Sequence, residues 1–281
     1  MDATTATSLY GEITLPVLSL PQVALLLLAT LPSAAVVGYF TGAARRRWLL
    51  ARGREVDAVV GETTLGAILA LLGLLLAFSF GNALGISNER KTAMVDEAAA
   101  LGTAFLRADY LSEPGRTALQ VALYEYAETR LPAGDGQINT LEKARDFLNR
   151  TLEAQAVLWP LTVEVTQDPV PAPIKTFVAG AVNDALDAHL YRVKTLSHPV
   201  SDVTQLMLLA AALMSLFLLG NRAGLVGRSL SWRTFVLSAF LFVVMNTILD
   251  TQRGNEGFVR IDDTPMRATV FDMKEALAGR T

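Results

Sequence analysis

The sequence has no cysteine, only two histidines and few charged side chains. Without cysteine the chain can form no disulfide, no thiolate nucleophile and no cysteine-based zinc site. Charged residues make up 18% of the 281 residues and hydrophobic residues 52%, whereas an average soluble domain is roughly 25% charged. The formal net charge of −3 lacks the positive excess that nucleic-acid binding requires. These absences exclude thiol chemistry, argue against a nucleic-acid partner and favour a membrane protein.

Four long stretches of the sequence are apolar and uncharged. They contain no Asp, Glu, Lys or Arg and cover residues 13–44, 63–88, 203–221 and 234–249. A helix that crosses a bilayer needs about 20 mostly apolar residues. We therefore predict transmembrane helices at about residues 22–41, 63–87, 203–221 and 234–250. The predicted fold class is an all-α membrane protein with four spans and a helical extramembrane domain between spans two and three.

Four segments follow from this pattern. They are an N-terminal tail with a first transmembrane hairpin, a helical extramembrane domain, a second transmembrane hairpin and a C-terminal tail, at residues 1–87, 88–200, 201–250 and 251–281. Residues 87–110 are expected to extend the second span as one long helix. Further helices are predicted at about residues 112–131, 139–159 and 174–197, and Pro160 is expected to end the second of these because proline removes a helical hydrogen bond.

Arginines in the short loops predict the orientation. They lie between spans one and two and between spans three and four, at Arg45, Arg46, Arg47, Arg52, Arg54, Arg222, Arg228 and Arg233. By the positive-inside rule both short loops are cytoplasmic and the helical domain lies outside. The arginine-rich, lysine-poor composition is typical of a GC-rich bacterial genome, which indicates a bacterial inner (cell) membrane. Residues 1–14 carry no positive charge and do not form a signal peptide.

Candidate catalytic groups are few. No phosphate-binding loop, nucleophile elbow or zinc-binding helix motif occurs in the sequence. Asp184, Asp187 and His189 do not have the helical spacing of metal ligands, so we interpret this stretch as a solvated helix face. We predict no catalytic residue, no metal site and no cofactor, and therefore not an enzyme.

The second span carries a stripe of small residues. Steps of four, three, four and four place one side of the helix at Gly66, Ala70, Gly73, Ala77 and Gly81. Small residues allow helices to approach closely in lipid, so we predict a helix-packing role for the stripe. Its partner is either another span of the same chain or a span of a neighbouring subunit around a symmetry axis.

A second row of residues lies beside the stripe. Leu74, Phe78 and Asn82 recur at four-residue steps. A ring of Leu and Phe side chains can form a hydrophobic constriction in a channel, while Ser79 and Asn82 offer a hydroxyl and an amide donor. Leu74, Phe78, Ser79 and Asn82 are therefore candidate pore-lining residues. Packing against other spans is the alternative.

Several stretches of the sequence resemble the bacterial bestrophin-like membrane proteins. They are residues 69–80 (LALLGLLLAFSF), 88–90 (NER), 96–107 (DEAAALGTAFLR), Arg116, Tyr126, Arg130, residues 182–189 (VNDALDAH) and the segment from 248–250 (ILD) to Gly257. The resemblance covers roughly residues 61–265. It implies a pentameric channel for inorganic anions such as chloride, in which the second of four spans lines the pore and Leu74 and Phe78 form its neck.

The sequence departs from bestrophins in two respects. The acidic cluster through which calcium gates bestrophins has no counterpart in this sequence. Bestrophins also hold their helical bulk in the cytosol, on the side opposite to the one that the arginines predict here.

Two functions remain open at this point. The first is a homo-oligomeric, passive anion channel that resembles bestrophins, with span two lining the pore. The second is a non-conducting oligomeric membrane protein whose helical domain binds a partner or senses the state of the envelope. The length of the segment between spans two and three favours the second, because a channel vestibule does not require so large a domain.

Overall fold

A computed structural model describes residues 18–56, 62–132, 141–167, 169–196, 202–253 and 257–279. These ranges contain eight α-helices and no strand. In chain order, α1 to α8 are Leu20–Ala51, Glu62–Arg107, Gly115–Thr129, Leu141–Val165, Ala172–Leu196, Asp202–Val226, Trp232–Arg253 and Thr264–Ala278. A single 3-10 turn at Ala108–Tyr110 separates α2 from α3. The prediction of an all-α fold is confirmed.

Four of these helices, α1, α2, α6 and α7, are long and apolar enough to cross a membrane. They coincide with the four predicted spans, which confirms the four-span membrane architecture. The fourth span is longer than its uncharged stretch indicated, because α7 has 22 residues and continues to Arg253. A long charged side chain at a helix end can reach the membrane surface while its backbone remains helical.

Helix α2 has 46 residues without interruption. At 1.5 Å per residue it is about 69 Å long, more than twice the roughly 30 Å of a bilayer core. The prediction that residues beyond 87 extend the second span is therefore confirmed. The helix contains no proline. Beyond the span its side chains form a second buried face, so the helix continues there.

The contacts divide the chain into two compact units. The membrane unit consists of α1, α2 up to Gly85, α6 and α7. The helical unit consists of α2 from Ile86 onward, α3, α4, α5 and α8. Each unit has its own apolar core.

Close backbone contact between α1 and α6 holds the membrane unit together. A Cβ atom built on Gly38 would overlap the carbonyl oxygen of Phe217, and one built on Gly220 would overlap that of Ala35. The same is true of Gly42 and Gly224. Each helix thus contributes two glycines four residues apart, the arrangement that lets helices approach most closely in lipid. Sequence reasoning singled out the glycines of α2 and missed this pair of motifs.

The helical unit has a core of larger side chains. Its buried residues include Leu101 and Phe105 of α2, Leu119 and Leu123 of α3, and Leu158 of α4. Helix α8 completes the same core with Met266, Val270 and Met273. The predicted C-terminal tail therefore includes a packed helix. The signal was present in the sequence, since these three apolar residues recur at helical spacing.

Pro160 lies inside α4, so the prediction that it ends this helix was wrong. The proline is exposed, whereas Leu158 and Thr162 on either side are fully buried. Because the face that carries Leu158 and Thr162 is buried, the helix continues beyond Pro160 although the proline cannot donate a backbone hydrogen bond. The Thr162 hydroxyl also donates a hydrogen bond to the Leu158 carbonyl oxygen at 2.7 Å.

Candidate functional site

Within the membrane unit, α2 is covered on one side only. Its buried side chains there are Leu65, Leu72, Ser79 and Ala83. On a helix that turns 100° per residue, these positions fall within about 40° of the circumference. Leu72 and Ala83 belong to the apolar core that α1, α6 and α7 complete. The described part of the chain leaves the opposite side of α2 uncovered.

The stripe of small residues lies on this uncovered side. All five members, Gly66, Ala70, Gly73, Ala77 and Gly81, are exposed. A Cβ atom built on Gly66, Gly73 or Gly81 would have no described atom within 4 Å, other than its chain neighbours and the adjacent backbone of the same helix. Of the two partners considered for the stripe, the described spans of the same chain do not occupy it.

The bulky row lies on the same uncovered side. Leu74 is 52% exposed and Phe78 is 69% exposed, and Asn82 is exposed as well. The centre of this row is about 100° around the helix from the centre of the stripe. We use the name open face for the stripe and this row together.

Ser79 does not belong to the open face. Its exposed fraction is 9%, because a step of one residue turns it 100° away from Phe78 and onto the packed side. The structure therefore brings three of the four candidate pore-lining residues together, Leu74, Phe78 and Asn82, and places Ser79 apart from them.

A carboxylate with no solvent exposure lies at the centre of the helical unit. Glu97 of α2 accepts a hydrogen bond on Oε1 from Nε of Arg130, the residue that follows α3, at 2.7 Å. Its Oε2 accepts one from Arg192 Nη1 of α5 at 2.6 Å. Arg130 Nη1 also donates to the hydroxyl of Thr151 of α4 at 3.2 Å. Arg130 and Arg192 therefore hold the carboxylate directly, and Arg130 links it to α4.

His189 of α5 lies against the same carboxylate. Its Nδ1 is 3.7 Å from Glu97 Oε1, which is beyond hydrogen-bond distance, and the ring is fully buried. The interpretation of this stretch as a solvated helix face was therefore wrong for His189. Val182 and Ala185 precede it at helical spacing and are also buried, so His189 continues an inward face of α5. We use the name Glu97 cluster for Glu97, Arg130, His189 and Arg192.

Burial and charge set the protonation states in this cluster. Burial alone would raise the pKa of Glu97, but the charge of Arg130, together with contacts from His189 and Arg192, outweighs it and lowers that pKa. Burial lowers the pKa of His189, and the charges of Arg130 and Arg192 add to this effect, which outweighs the opposing effect of Glu97. At neutral pH the cluster thus contains one carboxylate, two guanidinium groups and a neutral imidazole.

Sequence reasoning missed the Glu97 cluster as a cluster. Glu97, Arg130 and His189 all belong to stretches that carry the resemblance stated above, but their segments are far apart along the chain. The available signal was an ionisable residue on an otherwise apolar helix face, such as Glu97 beside Met94, Ala98 and Leu101. Among the described residues, no three His, Asp or Glu side chains converge as a metal site would require.

Solved structures of bacterial bestrophin homologues are similar to this chain. One crystal structure of a point mutant from Klebsiella pneumoniae aligns with a TM-score of 0.62 and 11% identity over 90% of this chain and 97% of that chain. Another from Klebsiella pneumoniae, phased with zinc, aligns with a TM-score of 0.54 and 13% identity over 90% and 96%. A crystal structure described as that of a membrane protein gives 0.60 and 12% over 89% and 97%.

These similarities establish the fold. No protein-family profile matches the sequence, and no curated protein matches it. The chain has the four-span fold of bacterial bestrophin homologues, which confirms the resemblance to bestrophin-like membrane proteins at the level of structure.

Proposed function

We propose that this chain forms a homo-oligomeric, passive anion channel in a bacterial inner membrane, with the open face of α2 lining the pore. The open face is the observation that carries the proposal. It is free of charged side chains over residues 63–88, and no described residue of the same subunit covers it. The fold of bestrophin homologues supports the same conclusion.

The two rows of the open face suit helices arranged around an axis. The stripe offers a smooth surface on which the α2 helix of the next subunit packs closely. Leu74 and Phe78 then point toward the axis and form a hydrophobic neck, and the Asn82 amide provides hydrogen-bond donors beyond it. We propose a pentamer because the bestrophin resemblance implies five subunits.

The distribution of charge favours passive conduction. A proton-driven transporter requires an ionisable side chain within its spans. The predicted spans carry none in their central apolar stretches. An ion that passes the neck would instead be coordinated by amide donors and aromatic edges, which supports chloride as the ion to test first.

The arginines favour an orientation with the helical unit outside the cell. An exposed residue in each region, Ala118 of α3 and Glu55 after α1, can be changed to cysteine in this cysteine-free chain. A membrane-impermeant thiol reagent should label Ala118→Cys in intact spheroplasts and Glu55→Cys only after permeabilisation. The reverse pattern would place the helical unit in the cytosol.

Chloride flux from liposomes that contain the purified protein tests conduction. Phe78→Ala removes the largest side chain of the proposed neck and should raise the flux several-fold, because a wider and less apolar constriction wets more readily. Phe240→Ala is the matched control, since Phe240 of α7 is exposed to a similar extent, 61%, but lies outside the open face. No flux at any potential or ionic condition, from protein that is shown to be oligomeric, would contradict the proposal.

A second candidate function is favoured by exposed aromatic side chains of the helical unit. Tyr110 is 64% exposed and Phe271 is 61% exposed, and such residues are enriched where proteins bind partners. Under this alternative the protein is a non-conducting oligomer whose helical domain binds a partner or senses envelope state. Silent liposomes, with in-cell crosslinking from Phe271 to another protein, would favour it over the channel.

A further inference from the structure

Helices α1 and α6 run in the same direction where they touch. Gly220 lies against Ala35, and Gly227, seven residues later and just past the end of α6, lies against Arg46. The carboxyl ends of both helices are therefore at the same end of the membrane unit, and α7 begins there after a short turn. We use the name basic end for this part of the membrane unit.

Arginines from the end of α1, the turn after α6 and the start of α7 gather at the basic end. They are Arg45, Arg46, Arg47, Arg52, Arg54, Arg228 and Arg233, and all except the half-buried Arg46 are exposed. None of them forms an ion pair with a carboxylate in the described part of the chain. The basic end thus carries a concentrated positive charge that the described chain does not neutralise.

Three arginines of the helical unit behave differently. Arg116, Arg150 and Arg267 each lie within 3.1 Å of a carboxylate three or four residues away on the chain. The charges of these three arginines are therefore paired locally, unlike those of the basic end.

Two tryptophans border the basic end. Trp48 of α1 is 47% exposed and Trp232 at the start of α7 is 69% exposed. Tryptophan is enriched at the level of lipid headgroups, so this pair marks the depth at which the arginines lie. The Arg52 guanidinium also stacks on the Trp48 ring, 3.8 Å from its centroid.

The turn after α6 holds one arginine in position. Gly227 adopts a φ of +79°, and a Cβ atom there would be 2.6 Å from the Arg46 guanidinium carbon. The glycine therefore permits both the turn and the close approach of Arg46 to the backbone. This contact ties the α1 arginines to the turn between α6 and α7.

We propose that the basic end binds the headgroup of an anionic phospholipid. Guanidinium groups bind phosphate oxygens through paired hydrogen bonds, and clusters of four to eight basic residues beside a span attract anionic lipids. Free phosphate shares this chemistry, but the flanking tryptophans and the position at the end of three apolar helices favour a lipid. The inference goes beyond conduction and does not depend on it.

Native mass spectrometry of the purified, lipid-depleted protein tests this inference. Phosphatidylglycerol is titrated in parallel with phosphatidylcholine of the same acyl chains and with inorganic phosphate. We expect phosphatidylglycerol to bind at least about tenfold more tightly than phosphatidylcholine, since each basic residue near the surface contributes to anionic lipid binding. The triple variant Arg45→Gln/Arg47→Gln/Arg228→Gln should lose this preference.

A matched triple variant controls for the loss of charge. The variant Arg116→Gln/Arg150→Gln/Arg267→Gln also removes three positive charges, but from the helical unit. It should still bind phosphatidylglycerol more tightly than phosphatidylcholine. Equal weakening in both variants, equal binding of the two lipids, or saturation by inorganic phosphate with no further lipid binding would each overturn the proposal.

Salt provides a test that needs no variant. Binding of phosphatidylglycerol to the unchanged protein should weaken when salt rises from about 0.05 M to about 0.5 M, because exposed charges are screened over this range. Binding of phosphatidylcholine should not change. A lipid preference that is independent of salt would overturn the proposal even if a variant failed to fold.

Discussion

The membrane unit and the helical unit hold their helices together in opposite ways. In the membrane unit α1 and α6 meet backbone to backbone at glycines, and the described residues leave a whole side of α2 uncovered. In the helical unit Arg130 and Arg192 bind the carboxylate of Glu97, and Arg130 connects it to Thr151. The difference indicates that the helical unit satisfies its ionic groups within one chain. The membrane unit leaves apolar surface on α2 and positive charge at its basic end for other molecules.

The largest effect is expected when the ionic centre of the helical unit is removed. Glu97→Gln leaves two buried guanidinium groups without their counter-charge, which typically costs about 3–5 kcal/mol. Chemical denaturation, followed by a probe in the helical unit, should show this loss in the free energy of unfolding. Glu113→Gln is the control, because the Glu113–Arg116 pair is exposed and solvent-exposed ion pairs contribute little to stability. Equal effects of the two substitutions would contradict the comparison.

A smaller effect is expected when the glycine contact of the membrane unit is widened. Gly38→Ala places a methyl group on the Phe217 carbonyl oxygen, and such overpacking costs about 1–3 kcal/mol. The unfolding midpoint in detergent should fall accordingly. Gly73→Ala is the same change on the open face, where a Cβ meets no described atom, and should leave the midpoint of the subunit nearly unchanged. A larger loss at Gly73 than at Gly38 would reverse our assignment of the two surfaces.

The helical unit should also lose stability as the pH falls. The pKa of His189 is lowered in the folded protein, so the unfolded chain binds a proton near pH 6.5 that the folded chain does not. Stability should therefore decline below about pH 6.5, by up to about 1.4 kcal/mol per pH unit. The contribution of Glu97, whose folded pKa is lowered, is complete above its unfolded pKa of about 4.3 and is lost as the pH falls further.

Unfolding midpoints measured between pH 8 and pH 4 test this dependence. His189→Gln should flatten the curve between about pH 7 and pH 5 while the decline at lower pH remains. A rise in stability on acidification through that interval would mean that the folded imidazole gains the proton, contrary to its burial between two arginines.

The smallest change in subunit stability is expected on the open face, where only the assembly should respond. Ala77→Leu adds bulk to the stripe at an exposed position and should weaken self-association at least about tenfold, which corresponds to 1.4 kcal/mol. Ala210→Leu makes the identical change at an exposed position of α6. Mass photometry across a dilution series measures both. Unaltered assembly in Ala77→Leu would remove the stripe from the subunit interface.

Local features of the chain explain what the sequence could predict. Each uncharged stretch is continuous along the chain, so the four spans and the unbroken α2 could be predicted from the sequence. The glycine contact was readable only in part, since Gly38 and Gly220 stand in short small-residue motifs but nothing along the chain says which helices meet. The Glu97 cluster was not readable, because Glu97, Arg130 and Arg192 come from three segments that only tertiary packing brings together. At Pro160 the local sequence predicted the wrong structure. Burial of the neighbouring Leu158 and Thr162 keeps the helix continuous despite the proline.

Rotation of α2 about its own axis determines which row of the open face points in a given direction. Phe78 and the stripe lie on one helix of 46 residues that contains no proline. The stripe and the bulky row are about one residue step, 100°, apart. A turn of α2 about its own axis by that amount would present methyl groups and glycines where Leu74 and Phe78 had been. A rotation of this helix thus alters the width of whatever it lines without moving its backbone along the membrane normal.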